Sequence, residues 1–153
     1  MKLTTLAVAA LASLASASDV GKARIVNKCE EPVHVWSVGS EIEGPFELAP
    51  GKWYAEEFTK DPITGGKALK VTKDADGLYT GAPQTIFAYN LDNAGVWYDL
   101  SDVFGDAFAG NKLVVASKDP TCQAIVWPDG IPPAGSQVKV CTASEDVVFT
   151  ICA

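Results

Sequence analysis

From Lys22 onward the apolar residues alternate with polar ones in short bursts, and nowhere does an i, i+3, i+4, i+7 stripe last three helical turns. Nine runs rich in β-branched and aromatic residues stand out: Lys22–Asn27, Val33–Val38, Trp53–Phe58, Lys67–Thr72, Thr85–Asn90, Val96–Leu100, Lys112–Ala116, Gln123–Trp127 and Val147–Cys152. Gly, Pro, Asp and Asn separate them at regular distances, the pattern of an all-β antiparallel sandwich or barrel.

The breaks between runs predict turns. Ala49-Pro50-Gly51 joins the fixed φ of proline to a glycine free to take positive φ. Asp74-Ala75-Asp76-Gly77 opens like a calcium loop, but its twelfth position is Thr85 rather than a bidentate glutamate, so a hairpin turn is expected. Pro128 to Gly135 holds three prolines and reads as an exposed loop between Cys122 and Cys141. Between Ser101 and Asn111 a short helical turn fits, with Ser101 or Asp102 capping Val103–Phe108.

Ahead of the strands, Met1-Lys2, the apolar stretch Leu3 to Leu14 and the small-x-small sequence Ala15-Ser16-Ala17 have the three parts of a secretory signal peptide. The expected organisation is a cleaved segment 1–17 and one domain over 18–153. No run is long enough to span a bilayer as a helix.

The chain has 153 residues, which suits one domain. It carries 12 Lys plus Arg against 19 Asp plus Glu, a formal net charge of −7, so it repels nucleic acid and anionic membrane surfaces. Its one histidine, His34, lies on a predicted strand where a half-exposed surface position is expected. With a single imidazole, most triads and metal sites are out of reach, and carboxylates are left as the candidate catalysts. The residues imply no metal and no cofactor.

In an exported chain Cys29, Cys122, Cys141 and Cys152 favour disulfides, and no CxxC pair suggests zinc or redox chemistry. Four cysteines allow three pairings, and the sequence alone does not choose among them.

Ala23-Arg24-Ile25-Val26-Asn27-Lys28-Cys29 followed by Pro32-Val33-His34-Val35-Trp36 resembles the first hairpin of thaumatin-like proteins, and Tyr98-Asp99-Leu100-Ser101 with Gly105 and Phe108 is similar to that family's Y-D-x-S segment. The small size and the stretches Trp97 to Asp102 and Pro128-Asp129-Gly130 look more closely like the small fungal secreted group, the blastomyces yeast-phase-specific proteins and antigenic thaumatin-like proteins. The resemblance implies a thaumatin-like antiparallel β-sandwich with two disulfides, Cys29 with Cys152 and Cys122 with Cys141. In the chain-entropy model such nested bridges withdraw roughly 5 and 3 kcal/mol of unfolded-state freedom.

The resemblance also implies an acidic cleft linked to glucan binding. Asp99 matches its first carboxylate, but Phe104 stands before Gly105 where the second belongs. Asp102 and Asp106 lie nearby at non-matching positions. Neighbours on a strand point to opposite faces, so one of Trp53 and Tyr54, and one of Trp97 and Tyr98, faces outward. Trp97, Tyr98, Asp99, Asp102 and Asp106 are therefore the candidate ligand-binding residues.

The expected protein is secreted and non-enzymatic, and the resemblance implies a place at the fungal exterior or cell wall, an antigenic or virulence-associated role, and cell-wall β-glucan or a host surface protein as partner. One alternative is a β-1,3-glucan hydrolase, which needs two carboxylates roughly 5–9 Å apart. The other is a small effector that binds a host protein without sugar affinity.

Overall fold

The computed structural model describes residues 20–153, so the expected leader lies outside the described residues. The chain forms β1 (Lys22–Asn27), β2 (Val33–Val38), β3 (Ile42–Leu48), β4 (Trp53–Glu57), β5 (Lys67–Thr72), α1 (Gly77–Thr80), β6 (Thr85–Asp92), β7 (Gly95–Ser101), β8 (Leu113–Ser117), β9 (Ile125–Trp127), β10 (Lys139–Thr142) and β11 (Val147–Ile151). Two sheets pack face to face: a five-stranded sheet in the order β4-β1-β11-β8-β9 and a six-stranded sheet in the order β10-β7-β6-β5-β2-β3. Among the described residues every pairing is antiparallel except β1 with β11.

The period-2 pattern explains the core. On β7 the burial alternates, sending Val96, Tyr98 and Leu100 inward and Trp97, Asp99 and Ser101 outward. Ile25, Val35, Leu69, Val71, Phe87, Val115, Phe149 and Ile151 meet between the sheets with no exposed surface. Each such side chain contributes about 1.5–3 kcal/mol of burial free energy.

All nine expected strands form. The two that the pattern did not disclose, β3 and β10, are the two edges of the six-stranded sheet. β3 contains a cis Gly44–Pro45 peptide and is exposed at every position before Leu48, so no apolar alternation marks it. β10 has four residues and leaves Val140 in solvent.

Both disulfides pair as the resemblance implied. Cys29–Cys152 ties the end of β1 to the end of β11, the one parallel pair, and Cys122–Cys141 ties the start of the β9 approach to β10. Asn27, fully buried beside the first bridge, donates through Nδ2 to Glu31 O at 2.8 Å and Leu48 O at 2.9 Å and accepts from Cys29 N at 2.9 Å.

Three local expectations change. The Asp74–Gly77 turn feeds a helical turn, α1, within the β5–β6 connection rather than a bare hairpin. The segment after Ser101 is a series of turns, with Gly105 N donating to Asp102 O at 2.7 Å, and no helix forms there. Gly105 at φ 106° departs from helical geometry and accounts for the difference. His34 is buried, at 7% exposure, because the β2–β3 pairing sets Glu47 beside it and the chain after β5 supplies Lys73 O, 3.1 Å from its Nδ1.

Candidate functional site

The outer face of the six-stranded sheet is built by ladder register. Ala88 of β6 lies opposite Asp99 of β7 on one side and Ala68 of β5 on the other. In the next row Asn90 pairs with Trp97, which pairs in turn with Val140 of β10. A row of two alanines beside longer neighbours leaves a trough running across the strands.

One depression in this trough, about 180 Å³, is lined by Ala88, Tyr89, Asn90, Trp97, Tyr98, Asp99 and Val138. A second, about 460 Å³, shares Ala88 and Asn90 and continues past Ala68 to Lys70 and Thr64. Trp97 stands as a wall with 48% of its surface exposed. Its ring is large, flat and half solvated, and Asn90 offers both an amide donor and a carbonyl acceptor.

Asp99 is half-buried in this face, and the loss of solvent raises its carboxyl above the usual range. Among the described residues it is the only carboxylate lining the two depressions. Lys70 bears on the exposed Phe104 ring, its Nζ 5.1 Å from the centroid, which brings the β7–β8 segment over this sheet. Farther along the face, Trp36 is sealed by Tyr79 of α1, the rings meeting edge-on at 5.3 Å.

The five sequence candidates therefore divide. Trp97 and Asp99 share the trough. Tyr98 turns the other way, 1% exposed, and donates its hydroxyl hydrogen bond to Gln123 O, so its ring belongs to the core. Asp106 lines a different recess with Lys73, Asp74 and Pro83. Burial, then a hydrogen bond with Asp106 and the charge of Asp106, push the Asp102 carboxyl up to about 6.

Sequence reading missed Ala68, Ala88, Asn90, Lys70 and Val138. The alternation of β6 marked Ala88 and Asn90 as facing the same way, but only the register discloses what stands opposite them.

Chemically, the trough presents an aromatic face, a neutral amide, one carboxyl and two ammonium groups, those of Lys67 and Lys70, over a small-residue floor. Glycoside hydrolysis needs two carboxyl groups on one cleft, and this one supplies a single carboxyl. Among the described residues the cluster of metal-donor types, Asp119 with Cys122 and Cys141, has both sulfurs committed to a disulfide. No helix of the described residues is long and apolar enough to cross a membrane.

The disulfide-tied sandwich with its outer-face trough has the thaumatin-like fold. It is similar to the protein elicitor MoHrip2 from Magnaporthe oryzae, with a TM-score of 0.72 at 24% identity over 87% of this chain and 99% of that one. It is also similar to the thaumatin-like xylanase inhibitor TLXI, with a TM-score of 0.61 at 13% identity over 85% and 98% of the two chains.

The chain belongs to the family described as Bys1, Blastomyces yeast-phase-specific protein, whose family model matches residues 10–153. Among curated relatives it is 26% identical to the antigenic thaumatin-like protein of Arthroderma benhamiae, over 97% of this chain and 81% of that one. It is 27% identical to the secreted thaumatin-like protein calA of Emericella nidulans, over 96% and 91%.

Proposed function

We propose that this is a secreted protein that binds without catalysing, and that the trough on the six-stranded sheet takes a neutral cell-wall glycan such as β-1,3-glucan. The observation that carries the reading is the half-exposed Trp97 ring standing beside Asn90 and Asp99 over the Ala68–Ala88 floor. A pyranose has an apolar face that stacks on such a ring and a hydroxyl rim that hydrogen-bonds to the amide and carboxyl beside it. The lone carboxylate in the trough favours holding a sugar over cutting it.

Export is part of the same proposal: residues 1–17 act as the leader, and 18–153 remain as the domain. The relatives' names support an exterior setting, one being called antigenic and another secreted.

Co-sedimentation with insoluble β-1,3-glucan and with chitin tests the reading, alongside a reducing-sugar assay. The expected result is retention on glucan that falls about tenfold in Trp97→Ala, with no sugar released, tenfold being about 1.4 kcal/mol. Retention unchanged by Trp97→Ala, or sugar release that Asp99→Asn abolishes, overturns it.

A further inference from the structure

The β1–β2 turn, Lys73 after β5, the turns before β8 and Cys152 after β11 enclose a recess of about 360 Å³ that shares no lining residue with the trough. That volume falls in the range of roughly 300–1,000 Å³ that small-molecule pockets occupy. Val33 and Phe108, each 1% exposed, and the Cys29–Cys152 bridge make part of its lining apolar. The exposed residues Lys28, Glu30, Glu31 and Lys73 also line it.

The backbone around the recess is tied down on each side. Asn27, fully buried, donates through Nδ2 to Glu31 O and accepts through Oδ1 from Cys29 N, which fixes the turn that carries both glutamates. Lys28 N donates to Ile151 O at 3.0 Å, and the bridge joins Cys29 to Cys152. Across from the turn, Lys73 O lies 3.1 Å from Nδ1 of His34, and Asn111 N donates to Phe108 O at 3.0 Å. A recess shaped before its ligand arrives avoids part of the ordering cost of binding.

Its charges point to the kind of ligand. Two ammonium groups stand against two carboxylates, a local balance in a chain whose formal net charge is −7. Among the described residues none of these four side chains takes part in an ion pair, so opposite charges surround one recess without neutralising each other. A ligand with a single charge is attracted by one pair and repelled by the other, whereas a zwitterion gains from both. Lys73 Nζ lies 5.7 Å from the Phe108 ring centroid, which sets a cation directly beside the apolar lining.

We propose that this recess binds a free aromatic amino acid. Its ring packs on Val33, Phe108 and the Cys29–Cys152 bridge, since aromatic edges favour both another ring and a sulfur neighbour. Its carboxylate is held by Lys28 and Lys73 and its ammonium by Glu30 and Glu31, while Asn111 offers an amide to either group. An aromatic residue inside a peptide has lost both charges, and one at a chain end keeps only one of them. The free amino acid is therefore the form that complements the whole recess.

The test is an amide-resolved NMR titration of the protein with L-phenylalanine and with three partial ligands. Phenylpropionate lacks the ammonium, phenethylamine lacks the carboxylate and glycine lacks the ring. Phenylalanine should bind with a dissociation constant of about 100 µM and shift Cys29, Glu31, Val33, Lys73 and Asn111. Each partial ligand should bind at least about tenfold more weakly.

Lys73→Gln should weaken phenylalanine about tenfold and leave phenethylamine unaffected, and the amides of the two sheets should keep their positions because Lys73 is exposed. Phenylpropionate or phenethylamine binding as tightly as phenylalanine, or no shift at about 10 mM phenylalanine, overturns the proposal. Trp97→Ala should leave the phenylalanine titration unchanged, so this result stands or falls apart from glycan binding in the trough.

Discussion

Tyr89 of the six-stranded sheet donates its hydroxyl hydrogen bond to Glu56 of the five-stranded sheet, so a carboxylate joins the two layers of the sandwich. The other Glu56 oxygen accepts from Tyr54 at 2.7 Å, and Lys67 Nζ of β5 lies 3.4 Å from the first. Glu56→Ala strands two hydroxyls and an ammonium in a mostly buried setting, and should cost about 2–4 kcal/mol in urea denaturation. Burial first, then the hydrogen bond with Glu56 and its charge, hold both tyrosines above their ordinary range. Glu56→Gln should therefore let tyrosinate absorbance appear at lower pH.

The Asp102–Asp106 pair makes a pH-dependent contribution of the opposite sign from an ordinary ion pair. Because Asp102 is pushed up to about 6, the folded chain keeps a proton that the unfolded chain gives up near pH 4. The folded state is favoured below about pH 4 and loses that advantage as pH rises toward and past 6. Asp106→Asn removes the like charge, so the variant should be more stable than the parent at pH 7 by about 0.5–1 kcal/mol, the screened value for partly exposed charges. The gap should shrink by pH 4. Parallel urea midpoints at the two pH values would contradict the coupling.

Gly130 tests whether the loop from Pro128 to Val138 is anchored. Its positive φ disfavours any side chain, and the space a Cβ would occupy already holds the Phe108 carbonyl. Gly130→Ala should cost about 2–3 kcal/mol and make the segment 131–136 the first site of limited proteolysis. Unchanged stability and unchanged cleavage would mean that the approach to the loop is loosely held.

Much of this was legible in the sequence because alternation reports facing directly. Alternation alone separates Trp97 from Tyr98, and the structure puts Trp97 outside and Tyr98 in the core. The same logic puts Trp53 outside, 58% exposed, and Tyr54 inward. What alternation does not carry is register. Ala88 became part of a trough only because Asp99 and Ala68 stand opposite it, and no local pattern announces a partner on another strand. Edge strands were illegible for a related reason: β3 and β10 each bury little, so neither writes an apolar period into the chain. The three acids read together as one cluster separate because Asp99 sits in the ladder while Asp102 and Asp106 lie in the turns beyond it.

The most direct test of glycan binding is an amide-resolved NMR titration of residues 18–153 with a soluble β-1,3-gluco-hexasaccharide. The account expects shifts concentrated at Ala88, Asn90, Trp97 and its indole N–H, Asp99 and Val138, and their loss in Trp97→Ala with the rest of the spectrum unchanged. Shifts centred on Asp106 and Lys73, or none at saturating sugar, would contradict it.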